Sequence, residues 1–278
     1  MLDWRTLAQP VAGGHDTQAV LELAAARGYR RPAPGVAVFL DGAVTLEHVY
    51  AGESWTPPVP DAPAALTPAI ATADVLLGLS PVLREQTKQL VHAIHPATVR
   101  AGTAPVVDGA SRSHSLEHRF GTLWSTIDCP FGLAQSIVHE MAHQKLRALG
   151  LPVEGSGILI ANPVSELYPS PILPRDRPMS AVLHATYSFT YVLELDLACL
   201  RAPDRVVRQV ALLAIDKNLE RVEHGYLTLR RKARLGDHGA AFFDGLFAWI
   251  ERLVGRGRLE LTLAAPPARR ARPAAPAT

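Results

Sequence analysis

The chain has 278 residues, of which 48% are hydrophobic and 19% are charged, and its formal net charge is +2. This composition supplies enough apolar material for a buried core, so it excludes a chain that is disordered throughout. The near balance of charge argues against nucleic acid as the main partner, since nucleic-acid-binding domains carry a clear basic excess. Two cysteines exclude both a disulfide scaffold and a four-cysteine zinc site.

The N-terminal segment lacks the basic region followed by an apolar stretch that is typical of a secretory signal. No apolar run approaches the ~18 residues that a membrane-spanning helix needs. We therefore predict a cytoplasmic protein with no membrane partner.

The hydrophobic pattern predicts a mostly helical chain with a few short strands. Periods near 3.6 residues indicate helices, and short alternating runs indicate strands. Five prolines between residues 51 and 70 disfavour regular structure, and we predict an extended loop there. Residues 151–178 are irregular and rich in proline, and a loop of that length is typical of a functional segment. The predicted helices cover residues 16–28, 68–80, 81–95, 131–149, 179–200, 204–235 and 239–254, and the predicted strands cover residues 36–40 and 120–128.

These elements predict an α+β fold, predominantly helical, with one compact domain around the helix over 131–149. We expect an N-terminal helix and strand portion over residues 1–60, followed by a catalytic portion over residues 61–263. Residues 264–278 consist mostly of alanine, proline and arginine, and this low-complexity composition predicts a disordered tail.

One motif carries recognisable chemistry: His139-Glu140-Met141-Ala142-His143. On a helix, residues i and i+4 lie on one face about 6 Å apart, so both imidazoles can bind one divalent metal. A glutamate next to the first histidine can act as a base or orient a ligand. Two histidines in the middle of an apolar helix are costly to bury unless something satisfies them. The pattern therefore predicts a metal site at His139 and His143.

A catalytic metal needs a third protein ligand and an open position. His184 and Glu194 fall on one predicted helix ten positions apart, which is about 15 Å of axial rise, so they cannot share one metal. A helical glutamate would favour a zinc metallopeptidase, whereas a histidine would favour other metal chemistry. The downstream candidates are Glu154, Glu166, His184, Glu194 and Asp196.

A longer ordered set of residues surrounds the motif. The segment LAQSIVHEMAHQKLRAL is followed by Tyr168, by the pair Arg177-Pro178, and by LHATYSFTYVLEL, which contains His184. Together with GTLWSTI before the helix, this set resembles the α-ketoglutarate-HExxH type peptide β-hydroxylases, which belong to bacterial gene clusters for ribosomal peptide natural products. The resemblance covers roughly residues 120–195.

The resemblance implies an Fe(II)/2-oxoglutarate-dependent oxygenase that hydroxylates a side-chain β-carbon of a ribosomally made precursor peptide. It also implies that His139, His143 and His184 bind the iron. Three neutral ligands leave three positions of an octahedral ion for the co-substrates. Glu140 would then orient a ligand or polarise a bound water, rather than serve as the base of peptide hydrolysis.

The resemblance further implies an arginine for the distal carboxylate of 2-oxoglutarate, because a planar guanidinium binds a carboxylate through two hydrogen bonds. We predict Arg177 for this role, with Arg175 second, since Asp176 stands where the family pattern has a proline. Tyr187 and Phe189 follow His184 on the same predicted helix. We expect both to pack in the core, and Tyr187 is also the candidate for contact with the substrate.

Two other functions fit the same residues. The first is a zinc metallopeptidase with Glu140 as general base and Glu194 as third ligand. The second is a peptide-binding module without catalytic activity, with or without a bound metal.

Overall fold

Eight helices and seven strands make up the described part of the computed structural model, which comprises residues 2–29, 37–47, 63–97, 112–115, 119–127 and 129–265. The predicted fold class, α+β and predominantly helical, is confirmed. The helices are α1 (Trp4–Leu7), α2 (His15–Ala26), α3 (Pro63–Gly78), α4 (Pro81–Leu90), α5 (Pro130–Ala148), α6 (Met179–Cys199), α7 (Arg205–Lys232) and α8 (Gly239–Ala264). The strands are β1 (Ala37–Phe39), β2 (Val44–Leu46), β3 (Ala93–Ala97), β4 (Ser113–Ser115), β5 (Thr122–Thr126), β6 (Leu167–Pro169) and β7 (Asp176–Pro178).

Five of the strands form one sheet in the order β1-β2-β3-β5-β4. Strand β3 is parallel to both β2 and β5, whereas β4 runs antiparallel to β5 with Ser113 opposite Ser125. Strand β5 is buried along its whole length, in keeping with its threonines and tryptophan, residues that favour strands. Because α5 begins four residues after β5 ends, the sheet fixes the start of the helix that carries the histidine motif.

Helices α5 and α6 form the centre of the molecule. Pro130 is the first residue of α5, a position where its missing N–H costs nothing, and the thiol of Cys129 accepts a hydrogen bond from the amide of Gly132. Helix α6 is buried on almost every side and packs between α5 and α7. Gly225 of α7 lies so close to α6 that a Cβ atom there would overlap the hydroxyl of Thr186. A glycine at this position therefore allows the close approach of α6 and α7.

Two predicted elements differ from the structure. The predicted helix over 81–95 is wrong in its last third, because α4 ends at Leu90 and the run Ala93–Ala97 forms the buried strand β3. Pro96 disfavours continuation of the helix through this short apolar run. The backbone of the run forms its hydrogen bonds with the neighbouring strands of the sheet instead. The predicted loop over 51–70 is also wrong in part, since α3 begins at Pro63; residues 51–62 lie outside the described residues.

The remaining helices agree with the prediction, except that α8 extends to Ala264, ten residues beyond its predicted end. The predicted boundary near residue 60 stays a prediction, and the predicted tail falls almost entirely outside the described residues. Among the described helices, none combines the length and the apolar character needed to cross a bilayer.

Candidate metal centre

The two histidines of the motif lie on one face of α5, as the i, i+4 spacing predicts. The Nε2 atoms of His139 and His143 are 3.1 Å apart. Nitrogens that lie ~2.1 Å from one ion and at a right angle to each other are separated by ~3.0 Å. The two nitrogens therefore have the separation of two neighbouring ligands of one metal.

The structure brings His184 of α6 into contact with this pair. Its Nδ1 lies 2.9 Å from the Nδ1 of His143, and the two rings are stacked with their centroids 5.1 Å apart. Its Nε2 donates a hydrogen bond to the backbone carbonyl of Leu151 at 2.9 Å. Leu151 follows Gly150, whose φ of 89° is a left-handed conformation that ends α5. The turn after α5 thus fixes the ring of His184.

The carbonyl of Leu151 determines which ring nitrogens of His184 and His143 carry protons. A carbonyl oxygen only accepts, so His184 carries its proton on Nε2 and a lone pair on Nδ1. His143 must then donate from Nδ1, which leaves the lone pair of its Nε2 facing His139. Burial lowers the pKa of His139, lowers that of His143 well below its usual value, and lowers the pKa of His184 to about 3. The three rings are therefore neutral near pH 7, which is the state in which imidazole binds metals.

No three His, Cys, Asp or Glu side chains of the described residues converge on one point as a three-ligand metal site requires. The reason lies in His143, whose two ring nitrogens face opposite neighbours. The chemistry of the donors still fits iron, zinc, nickel or copper, since all of these accept imidazole. His139 and His143 are arranged to share an ion, whereas ligation by His184 stays a prediction.

A cavity of about 540 Å³ opens beside His139, which is the only one of the three imidazoles in its wall. The wall is formed by α5, α6, α7 and the edge of the sheet at β4 and β5, and Ile172 from the loop between β6 and β7 completes it. The described wall carries three cationic side chains and one carboxylate, so the cavity favours an anionic ligand. The cations are Arg112, Lys217 and Arg221, and the carboxylate is Glu140.

Glu140 is buried and lies in the wall next to His139. Its Oε1 accepts a hydrogen bond of 2.8 Å from the hydroxyl of Ser113 on β4. This contact fixes the carboxylate between α5 and the sheet. Glu140 is therefore placed to orient a molecule bound in the cavity, and its catalytic role stays a prediction.

Arg221 of α7 is a candidate that sequence reasoning missed. Its guanidinium lies 4.6 Å over the ring of Phe189, and that ring meets His139 edge-on at 5.0 Å. It donates a hydrogen bond of 3.0 Å to the side-chain oxygen of Asn218, and burial lowers its pKa. Within the described part of the chain, no carboxylate lies within ion-pair distance of Arg221. The signal in the sequence is the spacing of Ala214, Lys217, Asn218 and Arg221, which places them on one face of a helix.

The structure does not bring the two predicted arginines to the cavity wall. Arg177 of β7 forms an ion pair with Glu154, and Arg175 is exposed in the loop before β7. Both lie on the hairpin of β6 and β7, whose contribution to the wall is Ile172. The role that the resemblance assigns to Arg177 and Arg175 stays a prediction that their positions do not support.

Tyr187 does not reach the cavity either. It is fully buried, and its ring packs edge-on against Tyr191 and Trp249. The residues of α6 that line the cavity are Phe189 and Val192. Two residues turn a helix by about 200°, so Tyr187 points to the opposite side, into the core. Its burial agrees with the packing role, and contact of Tyr187 with the substrate stays a prediction that its position does not support.

The carboxylates considered as third ligands are engaged elsewhere. Glu194 accepts a hydrogen bond from the indole of Trp249 on α8, and Glu166 accepts one from the hydroxyl of Tyr168. Glu154 is paired with Arg177. Because each of these carboxylates is bound to another side chain, none of the three completes a site with His139 and His143.

Asp196, the fourth of these carboxylates, is fully buried, and burial raises its pKa from 3.8 to about 7. Between pH 3.8 and about pH 7, Asp196 keeps its proton in the folded protein but has lost it in the unfolded chain. Asp196 therefore lowers the free energy of unfolding as the pH rises through this range. We expect the free energy of unfolding of the wild type to fall relative to that of Asp196→Asn by up to ~1.4 kcal/mol per pH unit between about pH 5 and pH 7. Urea unfolding at several pH values measures this difference, and parallel curves for the two proteins would contradict it.

No protein-family model matches the chain, and no curated protein matches it. The resemblance to the peptide β-hydroxylases therefore rests on the motif residues alone. The arrangement of imidazoles and cations described above carries the functional argument that follows.

Proposed function

We propose that the protein is an Fe(II)/2-oxoglutarate-dependent oxygenase that hydroxylates a side-chain β-carbon of a ribosomally made precursor peptide. The observation that carries this proposal is the contact of three neutral imidazoles from two helices beside a cavity with a cationic wall. Neutral nitrogen ligands suit ferrous iron, and the cations suit an organic acid. A cytoplasmic location and a peptide partner belong to the same proposal.

His139, His143 and His184 would hold the iron. With 2-oxoglutarate and O2, ferrous iron supplies the oxidising power to hydroxylate an unactivated carbon. The chain's own contribution is to keep the three rings neutral by burial and to fix the tautomer of His184 through the carbonyl of Leu151. Glu140, held by Ser113, is placed to orient a molecule that enters next to His139.

We assign to Arg221 the binding of the distal carboxylate of 2-oxoglutarate, the role that the resemblance gives to Arg177. Arg221 lies in the cavity wall and is partly buried, which strengthens its attraction for a carboxylate because the local dielectric constant is lower than in water. Its stacking on Phe189 and its bond to Asn218 fix the plane of the guanidinium, and a fixed plane favours two parallel hydrogen bonds.

Among the described residues, no contact in the site favours the zinc peptidase. Its third ligand would be Glu194, and this side chain is bonded to Trp249. Glu140 lies next to His139 in the cavity wall. This position suits both the general base of a peptidase and a residue that orients a ligand in a hydroxylase.

Anaerobic titration of the metal-free protein with Fe(II) and then 2-oxoglutarate tests the proposal. We expect a weak charge-transfer band in the visible if the protein holds ferrous iron and 2-oxoglutarate at one site. Glu194→Gln is the matched control: glutamine can still accept the bond from Trp249, and we expect the band to be retained. Absence of the band, with zinc bound in a manner that depends on both His139 and Glu194, would support the peptidase instead.

Mass spectrometry tests the reaction itself. A peptide encoded by a short reading frame next to the gene should gain the mass of one oxygen atom when iron, 2-oxoglutarate and air are present. Omission of 2-oxoglutarate should prevent the gain. Peptide binding without turnover under any metal condition would support the binding module.

A further inference from the structure

Asp196 is a buried carboxylate that the proposed mechanism does not use. It lies on α6 and has no solvent-exposed surface, and within the described part of the chain no cationic side chain pairs with it. Its two oxygens accept hydrogen bonds from two amides instead, from Gln135 on α5 at 2.7 Å and from Asn218 on α7 at 2.8 Å. An unpaired buried carboxylate is costly, so its two amide contacts are the interactions that offset burial.

Both amides lie in the cavity wall, and the carboxylate dictates how they are turned. Once it is ionised, above its pKa of about 7, the Asp196 carboxylate only accepts, so each amide then presents its NH2 group to Asp196 and its oxygen to the other side. The oxygen of Asn218 then accepts a hydrogen bond from Arg221 at 3.0 Å. Asp196 thus reaches Arg221 through one intermediate side chain.

We propose that Asp196 is a positioning residue that acts through Asn218 to hold the guanidinium of Arg221 in the pose that binds the carboxylate of 2-oxoglutarate. The proposal rests on the proposed function, since it takes 2-oxoglutarate as the anion. Asparagine at position 196 has nearly the same shape but donates from one of its two ends. The amide of Asn218 would then no longer be forced to present its NH2 group to residue 196, so the acceptor of Arg221 would no longer be fixed.

A double-mutant cycle on co-substrate binding tests this arrangement. In anaerobic titrations of the Fe(II)-loaded protein above about pH 8, where Asp196 is ionised, we expect Asp196→Asn to weaken the binding of 2-oxoglutarate about tenfold, the size of coupling that residues in one hydrogen-bond network show. The affinity for Fe(II) should not change. The double variant with Arg221→Gln should bind 2-oxoglutarate no more weakly than Arg221→Gln alone, because Asp196 acts only through Arg221. Unchanged affinity in Asp196→Asn, or losses that add, would overturn the proposal.

A second measurement needs no metal and no turnover. Phenylglyoxal modifies arginines, and peptide mapping gives the rate at Arg221. We expect this rate to rise severalfold in Asp196→Asn and likewise in Asn218→Ala, since both remove the fixed acceptor. The control is Glu194→Gln, which changes a carboxylate on the same helix that is bonded to Trp249, and the rate at Arg221 should stay that of the wild type.

The two measurements separate the positioning role from the proposed function. If the wild type gives no charge-transfer band but the rate at Arg221 still rises in both variants, the proposed function fails and the positioning of Arg221 stands. If the band forms and the rate is unchanged in both variants, the positioning role is overturned and the proposed function stands.

Discussion

Replacing His143 by glutamine should abolish the binding of Fe(II) and all peptide hydroxylation. His143 is the central ring of the three, with one nitrogen facing His139 and the other facing His184. We expect His139→Gln and His184→Gln to have the same effect, a loss of Fe(II) affinity greater than the ~10–100-fold that removal of a supporting residue outside the ligand set costs. Isothermal titration calorimetry under anaerobic conditions measures the affinity.

The control for these variants is His224→Gln, which changes an exposed histidine on α7 away from the three rings and should leave Fe(II) affinity unchanged. Thermal unfolding of each variant checks that the fold is retained. If His184→Gln weakens Fe(II) binding only ~10–100-fold and keeps the charge-transfer band at saturating iron, His184 acts by orienting His143 and is not a ligand. Full Fe(II) affinity in His143→Gln would refute the metal site altogether.

Replacing Lys145 by methionine should destabilise the protein by ~3–5 kcal/mol, the usual cost of leaving a buried charge without its partner. Lys145 lies on α5 two residues after His143, and its side chain is fully buried. Its ammonium group contacts a carboxylate oxygen of Asp16 on α2 at 2.7 Å and the hydroxyl of Tyr191 at 2.9 Å. Burial lowers the pKa of Lys145, and Asp16 opposes that shift. Urea unfolding measures the loss.

Lys88→Met is the matched control, because Lys88 pairs with Asp41 at a partly exposed site where an ion pair contributes ~0–1 kcal/mol. The double variant Lys145→Met with Asp16→Asn should recover part of the lost stability, since it removes the uncompensated charge. Equal losses for Lys145→Met and Lys88→Met would show that the buried pair contributes no more than a surface pair.

Local features of the chain predicted the part of the site that lies within one helix. Residues i and i+4 lie on one face of any α-helix, so the formation of α5 is sufficient to bring the rings of His139 and His143 together. The contact of His184 was predicted only by resemblance, because 41 residues separate it from His143 and no local rule spans that distance. Its tautomer depends on the carbonyl of Leu151, which only the fold reveals.

Residues that depend on how helices pack could not be predicted in the same way. Arg221 lies on a helix rich in charged residues, and the sequence does not distinguish the basic side chain that faces a cavity from those that face solvent. Tyr187 is the converse case: it lies close to His184 along the chain, but the helical turn directs its side chain into the core and away from the cavity wall. Strand β3 was misjudged because a short apolar run after a helix fits either structure.

The bond from His184 to Leu151 has a consequence for how this chain can change in length. The acceptor lies only eight residues after His143, so an insertion or deletion between Leu149 and Leu151 would displace the carbonyl and with it the third ring. The tip of the β6–β7 hairpin contributes only Ile172 to the cavity wall and holds none of the three rings through a hydrogen bond of the described residues, so we expect changes in its length to be better tolerated. Homologous chains should therefore vary in length at the hairpin tip and keep a constant length at the turn that ends α5.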